Sequence, residues 1–273
     1  MIKLFILLFS FPLVVHAFNV DDVLLYSSPN CTPILEYQQP ESVDDGMWET
    51  LRPYFLPHDH VLKHALDKIF SEKRVTASFD SIEKAGFKCK ALRKWNNAIV
   101  AKHSKMKGYF FKMYGDDQAG FMDYPYWLAR IQGTRVIQRS IDKLGYQHIF
   151  KVPKKWIYPL PNHTDNINPN ERNFILVCED MKTVSKEFNY ERWRSAWVTH
   201  QLLDAVYAIL TDAGLLDSVY VDNMPFCKDG KIAFVDTEHF CKWPVPYRKM
   251  LPFLSRSNQA YWQSLMETGG KRS

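Results

Sequence analysis

The strongest constraint in the chain is the uninterrupted apolar run Phe174-Ile175-Leu176-Val177-Cys178. It is too short for a membrane span and shows no helical spacing, so it reads as a strand buried in a core. Three other short runs look like antiparallel strands: Phe87 to Leu92, Ala98-Ile99-Val100-Ala101 and Tyr109 to Tyr114, the last two separated by a turn over 104–108. Phe150 to Pro153 and Trp156 to Pro159 read as one strand broken by a turn, and Lys231 to Val235 as a further buried strand after the Asp229-Gly230 turn. Helical spacing recurs over 57–74, over 124–144 (Trp127, Leu128, Ile131, Val136, Ile137, Ile141) and over 190–213, where Gly214 supplies a C-cap. Ser78 or Ser81 would cap a short helix ending near Gly86, and another short helix is expected near the C-terminus. Residues 18–56 show no clear period and read as an irregular arm. The order of elements gives an α+β fold class.

At the N-terminus, Met1-Ile2-Lys3 precedes an apolar stretch from Leu4 to Val15, and Val15-His16-Ala17 places an acceptable residue at −3 and a small one at −1 of a cleavage point. This layout predicts a signal peptide over 1–17 cleaved near Ala17, hence a secreted or exported protein. No later apolar run is long enough to span a bilayer, so no stable membrane span is expected once the signal is removed. The net charge of +5 is mild, and Lys and Arg are mixed with acids along the chain, which gives no basis for nucleic-acid binding. Of the five cysteines, Cys178 is expected as a buried free thiol; Cys227 and Cys241 flank one strand and are close enough in sequence to pair. Asn30 and Asn162 begin N-glycosylation triplets.

Several polar residues sit where chemistry could be built. Lys112 lies within the Tyr109–Tyr114 strand, just before a helix; a solvated strand lysine would look the same. Glu179-Asp180-Met181 ends the buried Phe174 strand. Asn223 precedes a hairpin, and Asp236 ends the hairpin's second strand in Val235-Asp236-Thr237-Glu238. A carboxamide and a carboxylate on adjacent turns are hard oxygen donors suited to Mg²⁺, although an Asx-turn and a surface acid would also fit the pattern.

Over residues 87–240 these features together resemble a protein-kinase-like fold, nearer to aminoglycoside and choline kinase relatives because Val235-Asp236-Thr237-Glu238 is similar to their Ile-Asp-x-Glu. The resemblance implies a two-lobed fold with an N-terminal arm and helices (18–86), an N-lobe (87–180) and a reduced, truncated helical C-lobe (181–273). It implies ATP and Mg²⁺ as cofactors: Lys112 on the α/β-phosphates, the backbone around Glu179 and Met181 at adenine, and Asn223 and Asp236 on the metal. The general base would stand five residues before Asn223; Ser218 occupies that position, and Asp217, one residue earlier, is the nominee. The sequence departs from the pattern elsewhere. Leu92 to Asn97 replaces the Gly-rich loop, and the 124–144 helix has no Glu to pair with Lys112, only Gln132 and Gln138. The expected function is an exported Mg-ATP-dependent phosphotransferase acting on a protein or small-molecule acceptor. The alternatives are a catalytically inactive pseudokinase-like binding module and an unrelated α+β structural or interaction protein.

Overall fold

The computed structural model describes residues 36–90, 98–118, 123–162 and 170–270. The expected signal peptide, Cys31, the Leu92–Asn97 segment and most of the 162–172 loop lie outside the described residues. The fold is mixed α+β. Strands β1 (Phe87–Cys89), β2 (Ile99–His103), β3 (Tyr109–Met113), β5 (Lys155–Pro159) and β6 (Phe174–Glu179) form one antiparallel sheet in the order β1-β2-β3-β6-β5. The register aligns Lys112 with Val100 and Leu176, and Lys155 with Cys178.

The apolar run on β6 is continuous because both faces of the sheet are covered. Ile175 and Val177 meet Leu66 and Phe70 of α2 (Lys63–Glu72) and Ile82 of α3 (Phe79–Lys84). Phe174, Leu176 and Cys178 meet Trp48 and Leu51 of α1 (Asp45–Leu51) and Trp127 and Ile131 of α4 (Tyr124–Leu144). The far half of α4 then enters a larger helical core through Ile137 and Ile141, beside α6 (His200–Ala213) and α7 (Arg256–Thr268). One helix therefore serves two cores, and the described residues hold together as one unit.

Four expectations differ from the structure. The Phe150 and Trp156 segments are not one broken strand: β4 (Phe150–Lys151) leaves the large sheet and pairs in parallel with β7 (Ile232–Ala233). The long helix over 190–213 is two helices, α5 (Lys186–Trp193) and α6. The Ser195 hydroxyl closes the end of α5 on the Arg192 carbonyl, and the Thr199 side chain caps α6 by accepting from the Leu202 N–H, so each supplies a stop or a start that the apolar spacing hid. The arm over 18–56 is not irregular throughout: Asp44 caps α1 by accepting from the Met47 N–H. Cys178 and Cys227 are buried thiols, and Cys241 is an exposed one, so Cys227 and Cys241 are not joined. Among the described residues no helix is long and apolar enough to cross a membrane.

The helices on the Ile175 face are anchored by a buried polar knot. Both carboxylate oxygens of Asp67 accept from Lys63 Nζ at 2.7 Å, and the Tyr158 hydroxyl donates to Asp67 Oδ1 at 2.9 Å. Lys63 Nζ also lies 4.5 Å from the Tyr37 ring centre. Truncating one partner leaves the other charge buried. Asp67→Ala is therefore expected to cost about 3–5 kcal/mol in urea denaturation, with much of it regained in Lys63→Met/Asp67→Leu. If Asp67→Ala costs no more than a typical surface substitution, the knot does not anchor these helices.

Candidate functional site

The site forms where α4, β5 and β3 meet the segment that leaves the β7 hairpin. Gly133 of α4 lies against the backbone of Thr237, so close that a Cβ there would overlap the Thr237 carbonyl oxygen. The Thr237 hydroxyl donates to the Arg130 carbonyl at 2.5 Å and accepts from Lys155 Nζ at 2.7 Å. Lys155 also donates to the Val235 carbonyl at 3.3 Å. Helix and strand together clasp residues 235–237, and the side chains on either side of Thr237 face the cations of α4 and β3.

Asp236 is the focus. Its Oδ1 lies 3.5 Å from Lys112 Nζ and 3.5 Å from Arg130 Nε. Arg130 reaches Glu238 Oε2 with its terminal nitrogen at 2.5 Å. The Lys112 and Arg130 side chains are 11% and 10% exposed, whereas Asp236 is 38% exposed. Yet Asp236 Oδ1 and Arg130 Nε are both shielded from solvent and make no hydrogen bond. Burial alone would raise the Asp236 carboxyl, but Lys112, Arg130 and Lys155 outweigh it and hold the carboxyl down at about 2. Burial pulls the Lys155 amine down to about 7; Lys112 and Arg130 add to that, while Cys178 and Asp236 oppose it.

Of the other site candidates from sequence, Asn223, Asp217 and Met181 are drawn toward the same segment. The Val235 N–H donates to the Asn223 carbonyl at 3.0 Å, which sets Asn223 beside the strand that ends in Asp236. The Asn223 side-chain amide donates to the Asp217 carbonyl at 3.0 Å and closes the intervening turn. That turn is pinned to the 236–239 segment in two places. Leu216 N–H donates to the His239 carbonyl at 3.2 Å, and the Ser218 hydroxyl donates to the Asp236 carbonyl at 3.3 Å. Ser218 therefore serves the backbone, and the neighbouring Asp217 carries the exposed carboxylate, 3.3 Å from His239 Nε2. Met181 packs with Cys227 and Ala233 against Val235, and its carbonyl accepts from Lys151. Glu179 instead turns to the edge, where its carboxylate accepts from the Lys154 N–H.

No known protein-family model and no curated protein matches this chain.

Sequence reading passed over Arg130, Lys155 and His239. Arg130 carried a usable signal: it lies on the same helical face as Trp127, three residues on, and as Thr134, four residues on, a face that burial of those neighbours turns inward. Gln132 and Gln138 do not take the place beside Lys112; Gln138 donates to Asp142 further along the helix. A groove of about 440 Å³ lies elsewhere, between Lys68, Arg74, Lys84 and Lys105, and none of the site residues lines it.

Two outcomes follow from the clasp. Helix propensity alone would make Gly133→Ala stabilising by about 1 kcal/mol. The overlap with Thr237 reverses the sign, so denaturant unfolding is expected to show a loss of about 1–3 kcal/mol. For Lys155, the folded amine sits at about 7 and the unfolded one near its ordinary 10.5, so between those values the folded chain binds fewer protons and stability rises with pH. Compared with Lys155→Met, the wild-type chain should gain on the order of a few kcal/mol between pH 7 and 10. Parallel pH profiles for the two chains would show that Lys155 is not held neutral.

Proposed function

We propose that this chain is a kinase-like nucleotide-binding protein that holds the phosphates of ATP at the cluster centred on Asp236. The observation that carries this reading is the meeting of Lys112, on the third strand of the sheet, with Asp236, at the end of a hairpin far along the chain, with a helix between them in sequence that faces both. Kinase-like sites need a third-strand lysine for phosphates and a carboxylate at the end of the later hairpin, converging on one place. The placement of Met181 against Val235 adds support, since it sets the segment expected at adenine beside the hairpin.

A second reading, phosphotransfer to a protein or small-molecule acceptor, is favoured by one further observation: the exposed Asp217 carboxylate next to His239. In that reading Asp217 takes the proton of the acceptor hydroxyl, and Asn223 and Asp236 hold Mg²⁺, which would neutralise charge on the phosphates. The Asp236 oxygen facing Lys112 and Arg130 is a poor place for a divalent ion, so any metal would have to use the exposed side of that carboxylate.

Thermal unfolding with ATP, with and without MgCl₂, tests the binding reading. Ligand at 100 times its dissociation constant stabilises by about 2.7 kcal/mol, worth about 5–10 °C for a chain of this size. Lys112→Met is expected to remove that shift. If ATP, ADP and GTP leave the transition unmoved under both conditions, the chain is not a nucleotide-binding protein. Where turnover is measured, Asp217→Asn should lower it by about 100-fold or more while leaving the thermal shift in place.

A further inference from the structure

The charge pattern around Asp236 differs from that of a metal site. A metal-binding carboxylate needs a free negative face and further oxygen donors, because Mg²⁺ demands six oxygens in near-octahedral array. Here the shielded oxygen of Asp236 looks onto two fixed cations, Lys112 Nζ and Arg130 Nε, each at 3.5 Å, with Lys155 behind them. Among the described residues no group of three His, Cys, Asp or Glu side chains is placed to hold a metal. Arg130 also stands on the helix where the kinase resemblance calls for an acid, so the element that would normally balance Lys112 adds a second positive charge.

The two cations are nevertheless not fully engaged. A charge-assisted N–H···O bond closes to about 2.7–2.9 Å, and both contacts to Asp236 Oδ1 are longer than that. Arg130 Nε makes no hydrogen bond, although the side chain is nine-tenths buried. Its terminal nitrogen is committed to Glu238 at 2.5 Å, and its Nε lies 3.5 Å from Asp236 Oδ1. The Arg130 Nε–H is shielded from water, and the Lys112 side chain is largely buried. An incoming anionic oxygen therefore meets prearranged donors and need not order them.

Resting on the nucleotide-binding reading, we propose that Asp236 is an internal counter-ion and that Lys112 and Arg130 form a clamp that takes the phosphates of ATP without a divalent cation. Asp236 keeps the two cations together while the clamp is empty. A phosphate oxygen shares them with Asp236 or replaces it, and the charge that Mg²⁺ would neutralise is met by protein. The same placement makes a clear distinction between roles for Asp236: a metal ligand is required for binding, whereas a counter-ion competes with the ligand.

Calorimetric titration of ATP into the purified chain, in EDTA and again in excess MgCl₂, separates the two. The wild-type dissociation constant is expected to agree within about threefold between the two buffers. Arg130→Gln should weaken binding in EDTA by about 10- to 100-fold, the range lost with one hydrogen bond to a charged group, and Arg130→Lys should recover part of it. Asp236→Asn, checked for folding by its melting transition, should bind ATP in EDTA at least as tightly as the wild type. ATP that binds only in MgCl₂, or a folded Asp236→Asn that has lost affinity in EDTA, overturns the clamp while leaving nucleotide binding intact. Absence of binding in both buffers removes the nucleotide reading and the clamp with it. If Asp236→Asn does not fold, the comparison of buffers on the wild-type chain and on Arg130→Gln decides alone.

Discussion

The approach of one helix to one backbone carbonyl organises this molecule. At Gly133 the fourth helix comes so near Thr237 that no side chain fits between them, and the Thr237 hydroxyl then bonds both that helix and Lys155. This contact joins the sheet, through β5, to the hairpin that carries Asp236. It fixes the carboxylate's height relative to Lys112 and Arg130, and so fixes the electrostatics of the whole cluster. Had the helix stood one side chain further out, the residues of the cluster would be present in the sequence but not in one place.

The arrangement also explains why a buried lysine is tolerated. Lys155 donates to a carbonyl and a hydroxyl, so its polar head is bonded in either protonation state. Its charge is discouraged by burial and by two neighbouring cations, and encouraged by Cys178 and the Asp236 carboxylate. Beside it, Lys112 and Arg130 face Asp236 and Glu238. A cluster close to neutral at rest, with one carboxylate half exposed, can be buried at modest cost and still respond to an arriving anion.

Much of the scaffold was legible from apolar spacing. The β6 run, the bounds of α4 and the strands carrying Lys112 follow from local pattern, because each element buries a face that its own residues announce. What stayed hidden was decided by tertiary contacts. The break between α5 and α6 depends on Ser195 and Thr199 side chains that look like ordinary helix-surface residues, and the departure of β4 from the main sheet depends on where β7 arrives. In the site, Lys112, Asn223 and Asp236 could be nominated because a known pattern orders them along the chain. Arg130, Lys155 and His239 could not, since their roles arise from which faces of α4, β5 and the 236–239 segment turn toward each other. The Glu179 carboxylate accepts from the Lys154 N–H, a partner that local pattern does not announce.

The fourth helix is rooted at one end among the sheet residues Phe174 and Leu176 and at the other among those packed with Leu203 and Trp262. Its 21 residues make a rod about 30 Å long with Arg130 in its first half. Such a rod transmits rotation as a rigid lever: any outward swing of the helical half about the sheet must carry the guanidinium with it. A ligand bridging Lys112 and Arg130 would tie that rod to the sheet a second time.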